Sequence, residues 1–187
     1  MHFSEEEVQQ LIKAWAVLSF SFALAFTRSL PGLGVFSSFL FSGVTVGVSF
    51  VVHELAHKFL AQRFNCWAEF RSFDLGLLLT IFTAWTSGFI FALPGAVVIS
   101  GITTNEENGK IAAIGPISNI VLSLLFYLAA VLWGPRLFLS YGGAINARLA
   151  LFNLLPFGFM DGLKVYNWDL RVWVGLFGLA LILNLGL

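Results

Sequence analysis

The stretch "SFVVHELAHKFL" (residues 49–60) places two imidazoles and a carboxylate within five positions. On a helix, positions i and i+4 share a face, so His53 and His57 can bind one ion together. Imidazole suits zinc, whose tetrahedral shell accepts three protein ligands and leaves a fourth position open. Glu54, one position on from the first histidine, is turned too far round to join as a ligand and suits a general base acting on water. The same pattern arises by chance on surface helices, where it does nothing. Here it adjoins "VSFVV", where an ionisable side chain in a membrane helix costs roughly 2.5–3.5 kcal/mol. Three such groups in one turn need a compensating role, and a single bound zinc ion per chain supplies one.

A third ligand is sought by elimination. Of the three histidines, His2 reads as a terminal residue. The single Cys66 excludes an internal disulfide and any multi-thiolate site, and reads as a packing residue. Ser4 reads as a helix N-cap with Glu5, Glu6 and Glu7 in the first turn, a structural assignment. Among the carboxylates, Asp161 alone directly follows a long apolar stretch, in "LFNLLPFGFMDG" (151–162). Pro156, Gly158 and Gly162 would break the helix there and let the carboxylate turn inward. An interfacial Asp capping a turn is the plainer reading, and Glu69, Asp74 and Asp169 stay open as alternative ligands.

The elements around these residues are apolar. The 187-residue chain is 58% hydrophobic and 11% charged, with mean hydropathy +0.88, against roughly 25% charged residues in soluble domains. It reads as an integral membrane protein. Zero formal net charge gives no basic surface for nucleic acid. Apolar stretches run through 11–27, 36–57, 75–99, 111–133, 137–157 and 172–187. Breaks fall at "SLPGLG" (29–34), "NCWAEFRSFD" (65–74), "TTNEENGK" (103–110), "WGPR" (133–136) and "MDGLKVYNWD" (160–169).

Residues 36–63 would form a helix of about 42 Å, longer than the roughly 30 Å hydrocarbon layer, with Lys58 and Arg63 marking where it emerges. Lys58, Arg63, Arg71, Lys110, Lys164 and Arg171 flank breaks that can share one side, Arg28 and Arg136 the other. The excess of basic residues places the first side in the cytoplasm. For Asp161 to reach the depth of the histidines, 75–99 must add no net crossing. Its break at Pro94-Gly95 predicts a short half-inserted helix followed by strands, with 96–100 as an edge open to an extended peptide.

Three motifs together support a resemblance. "HELAH" (53–57), "GPISN" (115–119) and "NLLPFGFMDG" (153–162) resemble, in this order, the signatures of the site-2 protease family of intramembrane zinc metalloproteases, over residues 36–165. The resemblance implies zinc held by His53, His57 and Asp161, Glu54 as base, and Asn119 near the substrate or its oxyanion, with an inter-helix hydrogen bond as the structural alternative. It also implies that Gly115 and Pro116 shape the first turn of their helix, Asn153 bonds structurally, Pro156 breaks a helix and Gly162 follows the ligand. Met160 stands where the family usually has Leu, a volume-conserving exchange. The family's substrates are transmembrane proteins, and no peptide-binding domain interrupts the core here.

These readings predict one membrane-embedded domain over 1–187, core 36–165, with peripheral helices at 8–30 and 170–187. The fold class is an all-α polytopic membrane protein with five to six transmembrane helices and a small membrane-associated β-sheet or re-entrant region at 65–110. The partners expected are transmembrane substrates and the lipid bilayer, in the cell membrane with the active site toward the cytoplasm. A metal transporter or sensor, and a non-cleaving protein that binds membrane helices, are the rivals from other classes.

Overall fold

The computed structural model describes residues 1–29, 32, 34–88, 90–134 and 136–185. Of the breaks expected at 29–34 and 133–136, Leu30, Pro31, Leu33 and Pro135 lie outside the described residues, as do the last two residues of the final apolar stretch. The fold is mostly helical, 77%, with one two-stranded antiparallel sheet. In chain order it runs α1 (Glu5–Ser29), α2 (Val35–Ser42), a π-helical turn (Gly43–Gly47), α3 (Val48–Arg63), β1 (Trp67–Ser72), α4 (Asp74–Ser87), β2 (Gly95–Ser100), α5 (Asn105–Leu132), α6 (Arg136–Asn153), α7 (Asp161–Trp168) and α8 (Leu170–Leu185). Among the described residues, three helical segments are long and apolar enough to cross a membrane: Glu5–Arg28, Val35–Arg63 and Asn105–Leu132.

The chain divides into two compact units, Met1–Val51 with Glu69–Val98, and Val52–Ala68 with Ile99–Leu187. In the first, Ser4 Oγ accepts from the Glu7 N–H and starts α1. The indole of Trp15 lies where Cβ atoms on Gly43 and Gly47 would stand, and its Nε1 donates to the Gly43 carbonyl at 3.0 Å. Small residues at the π-helical turn therefore admit a large ring at backbone distance. At the far end of α1, Arg28 donates to the carbonyls of Ala84 and Trp85, capping the C-terminus of α4.

The sheet in this unit has one edge occupied by side chains. Phe73 N–H donates to Pro94 O at 3.1 Å on the β2 side. On the other side of β1, Glu7 Oε1 accepts from Phe70 N–H at 2.9 Å and Gln10 Oε1 from Ser72 N–H at 2.8 Å. Two residues one helical turn apart on α1 thus meet two donors spaced by the strand period of two. Glu7 is fully buried, consistent with the structural assignment of the first-turn carboxylates.

In the second unit, α5 opens with a capping box: Thr104 Oγ1 accepts from Glu107 N–H at 3.1 Å and Glu107 Oε2 from Thr104 N–H at 2.8 Å. One apolar cluster joins Ile120 of α5, Ala150 of α6, Leu154 and Ala180 of α8. Another joins Ala112 and Ala113 to Val165 of α7, with Trp168 and Trp173 packed against it. Gly109 gives up its side chain to the Trp168 ring, and Gly162 brings α7 against the Leu154 carbonyl.

Three expectations need correction, and the one for 75–99 is met in its short helix. The break at 65–74 contains β1, and α4 stands between the two strands rather than ahead of both; β1 buries three successive residues, Ala68, Glu69 and Phe70, instead of alternating, so "WAEFRS" carries no strand period. The short helix expected within 75–99 is α4, which ends at Ser87 with Gly88 at φ +73°; its 14 residues give about 21 Å, too short for the hydrocarbon layer, and β2 follows from Gly95. Gly115 and Pro116 lie in the interior of α5, not its first turn, because the capping box starts the helix ten residues earlier at Asn105. Lys58 is 1% exposed and does not mark an emerging end; Arg63 is exposed, with its guanidinium 4.9 Å from the Phe59 ring centre.

Candidate metal centre

Helix α3 supplies the two imidazoles one turn apart, and their rings sit 4.7 Å centre to centre at 79°. After α6 ends at Asn153, the chain passes through Pro156 and Gly158 (φ +64°) and re-enters at Asp161, the first residue of α7. A Cβ on the next residue, Gly162, would run into the Leu154 carbonyl oxygen. This glycine therefore sets how far inward Asp161 can reach. His53 Nε2 and His57 Nε2 lie 3.0 Å apart, and Asp161 Oδ2 lies 3.2 Å from the first and 3.1 Å from the second. All three residues belong to the second unit.

The outer nitrogens of both rings are engaged. His57 Nδ1 lies 2.7 Å from the Ile111 carbonyl oxygen, and His53 Nδ1 lies 2.6 Å from Asn119 Oδ1. Each partner is an acceptor, so each Nδ1 donates and each Nε2 keeps its lone pair toward the centre. That is the tautomer a metal-binding imidazole needs, with the second ring nitrogen fixed by an acceptor. Three ligand atoms within 3.2 Å of one another would be repulsive or protonated without a cation between them. Tetrahedral zinc with bonds of about 2.0–2.1 Å holds its ligand atoms roughly 3.3 Å apart. The observed triangle fits that ion with a few tenths of an ångström of adjustment. No other group of His, Cys, Asp and Glu among the described residues could hold a metal.

The alternative carboxylates are occupied elsewhere. Glu69 pairs with Arg71 at 2.5 Å and Asp74 with Lys13 at 2.6 Å. The Lys13 ammonium holds the exposed Asp74 carboxyl below its ordinary pKa. Asp169 Oδ1 accepts from Arg171 N–H at 2.7 Å and caps α8. Asp161 is the carboxylate that meets the histidines, its side chain 14% exposed. Glu54, on the same turn as His53, is buried at 7% exposure.

Asn119 is fully buried, with its Oδ1 on His53 and its Nδ2 donating to Asn146 Oδ1 at 3.1 Å. Asn153 Nδ2 donates to Leu149 O at 3.0 Å, within its own helix. Gly115 stands where a Cβ would meet His57 Nε2 and His53 Cε1, so α5 passes directly beneath both rings. Sequence reasoning missed the Ile111 carbonyl and Asn146. A main-chain acceptor has no sequence signal; Asn146 has one, an amide set in the apolar stretch "GGAINARLA".

The sequence profile of peptidase family M50 matches residues 41–135. A protein of Methanocaldococcus jannaschii, named as a zinc metalloprotease, is 38% identical over 165 residues, covering 86% of this chain and 85% of its own. The chain belongs to peptidase family M50. A second zinc metalloprotease by name, from Mycobacterium tuberculosis, is 29% identical over 173 residues, 82% of this chain and 40% of that one. A third such name, from Bacillus subtilis, belongs to a protein 29% identical over 149 residues, 65% of each chain. No solved structure matches the chain. The M50 profile contains both histidines and Glu54, and it ends before Asp161. The assignment of the third ligand rests on the geometry above.

Proposed function

We propose that this M50 peptidase is a zinc-dependent endopeptidase that cuts transmembrane segments of other proteins within or near the bilayer. The observation that carries this reading is the meeting of His53 Nε2, His57 Nε2 and Asp161 Oδ2 within 3.2 Å on helices of an apolar chain. These three residues would hold one zinc ion. When bound, zinc polarises a peptide carbonyl and makes hydroxide available near neutral pH. Glu54 takes the proton from the attacking water and passes it to the leaving amine. His53 and His57 keep their Nε2 lone pairs inward because their Nδ1 protons are held by Asn119 and Ile111. Gly115 leaves room for the rings, Gly162 for Asp161, and Pro116 and Pro156 shape the backbone on either side.

The whole of 1–187 acts as one membrane-embedded protease domain with five to six crossings, α4 and the sheet forming a re-entrant region. Basic residues Arg63, Lys110 and Lys164 favour a cytoplasmic face for the site. A membrane helix hides its carbonyls in backbone hydrogen bonds, so cleavage belongs where helix propensity is weak, near Gly, Pro or Asn. The strand β2 offers an edge for such an unwound segment.

The test reconstitutes the purified protein in liposomes with a single-span substrate carrying Gly-Pro near its cytoplasmic end. Glu54→Gln should keep zinc and lose at least about 100-fold in cleavage rate, within the range of general-base effects. Asp161→Ala should lose zinc and cleavage together. Full activity in Glu54→Gln would remove that residue as the base. Zinc flux across the liposome without cleavage would favour a transporter.

A further inference from the structure

Helix α5 is fastened to two different neighbours, and the change falls at its interior proline. Ahead of Pro116 it is joined to α7. Asn105 Nδ2 donates to Asn167 O at 3.2 Å, the Trp168 side chain stands where a Cβ on Gly109 would lie, and Ala112 and Ala113 pack with Val165. Beyond Pro116 it is joined to α6. Asn119 Nδ2 donates to Asn146 Oδ1 at 3.1 Å and Ser123 Oγ to Gly143 O at 2.9 Å. The Phe126 and Tyr127 rings stand where Cβ atoms on Gly142 and Gly143 would lie.

The metal centre draws on both halves of this helix. The first half supplies the Ile111 carbonyl that holds His57 Nδ1 at 2.7 Å, and its neighbour α7 supplies Asp161. The second half supplies the Asn119 amide that holds His53 Nδ1 at 2.6 Å. The angle between the halves therefore decides whether the three ligand atoms converge. Pro116 is fully buried and α5 runs through it unbroken. It has no N–H for the Ala112 carbonyl four residues earlier, and its ring presses on that carbonyl, so the helix must bend here. Ser118 acts on the same turn: its Oγ donates to Gly115 O at 2.7 Å, a side-chain bond that competes with the helix ladder.

We infer that Pro116 is a positioning residue for the metal centre: by bending α5 between its two fastenings, it sets Asp161 and the acceptor of His57 against the acceptor of His53. The inference rests on the zinc reading of those three ligands and deepens it by tying metal affinity to the course of one helix. A straight α5, held by both neighbours, would carry α7 away from the place where Asp161 Oδ2 lies 3.2 Å and 3.1 Å from the two Nε2 atoms. Proline is also the least favourable residue inside a helix. Its removal should therefore separate two effects, with the helix gaining and the metal losing.

The experiment uses folded, detergent-solubilised protein. It measures zinc affinity by chelator competition, thermal unfolding of the zinc-free form, and the visible spectrum after cobalt replaces zinc. Pro116→Ala returns an N–H to the ladder, which outweighs the two carbon atoms lost from the interior, so the zinc-free unfolding temperature should hold or rise. Zinc affinity should nevertheless fall about 10-fold or more, as when outer support of metal-bound histidines is lost. The visible bands of tetrahedral cobalt should weaken with it. Ser118→Ala should lower affinity by a smaller factor, and Ser118→Thr, which keeps the hydroxyl, should behave as wild type.

Wild-type zinc affinity and an unchanged cobalt spectrum in Pro116→Ala would overturn the positioning role. So would an affinity loss accompanied by a lower zinc-free unfolding temperature or by failure to fold, which would leave Pro116 a packing residue. A wild-type protein that takes up no zinc would instead overturn the metal reading itself.

Discussion

Two glycines near the metal centre differ in what a methyl group would strike. At Gly115 a Cβ meets the ends of His57 and His53, which can swing aside. Gly115→Ala should therefore leave the fold standing and displace the ligands, with zinc affinity lowered at least about 10-fold and little change in the zinc-free unfolding temperature. At Gly162 a Cβ meets the Leu154 carbonyl and the Leu155 carbonyl oxygen, and backbone cannot yield in that way. Gly162→Ala should cost about 1–3 kcal/mol of stability, measured by thermal unfolding without zinc. At this scale the meeting of His53, His57 and Asp161 was legible because the two histidines have helical spacing and Asp161 follows an apolar run. The bonds around them were less so: the Ile111 carbonyl on His57 is a main-chain group without a sequence signal, and Asn119, though picked out within "GPISN", bonds His53 and Asn146.

Short elements were harder to read than long ones, for a local reason. "TTNEENGK" has the polarity and the Gly of a loop, yet Thr104 and Glu107 form a capping box and α5 begins at Asn105. The S/T-x-x-E spacing was the available signal, outweighed by polar composition. The strand β1 was similarly hidden among Glu69, Arg71 and Asp74. The apolar bodies of the long helices were found because hydropathy alone defines them, while the polar first turns of α1 and α5 lay outside the stretches at 11–27 and 111–133. An element-scale prediction concerns the side of β1 that α1 covers. Gln10→Leu should leave the Ser72 N–H without its acceptor, speed hydrogen exchange at that amide and cost about 1 kcal/mol. Gln10→Glu keeps an acceptor at the same length and should slow that exchange again.

Among the described residues, three helices satisfy the length and apolarity of a membrane crossing. The 18-residue α6 falls outside that group, with Arg136, Asn146, Arg148 and Asn153 diluting its hydropathy, and the 16-residue α8 is shorter. Sequence therefore sees the polytopic character easily and the number of crossings poorly. Thiol labelling in sealed vesicles tests the proposed topology: cysteines placed at Thr103 and Lys164 should react from the cytoplasmic side, and one at Gly134 from the opposite side. The native Cys66 is buried and gives a low background. Labelling of Lys164→Cys from the outside would reverse the orientation. The occupied rim of β1 has a final consequence for how copies of this protein can meet. With the outward donors of Phe70 and Ser72 already taken by Glu7 and Gln10, any foreign strand must join beside β2. A sheet that grows through successive copies needs two open rims, and the covering of β1 leaves at most one, which guards the protein against polymerising into sheets.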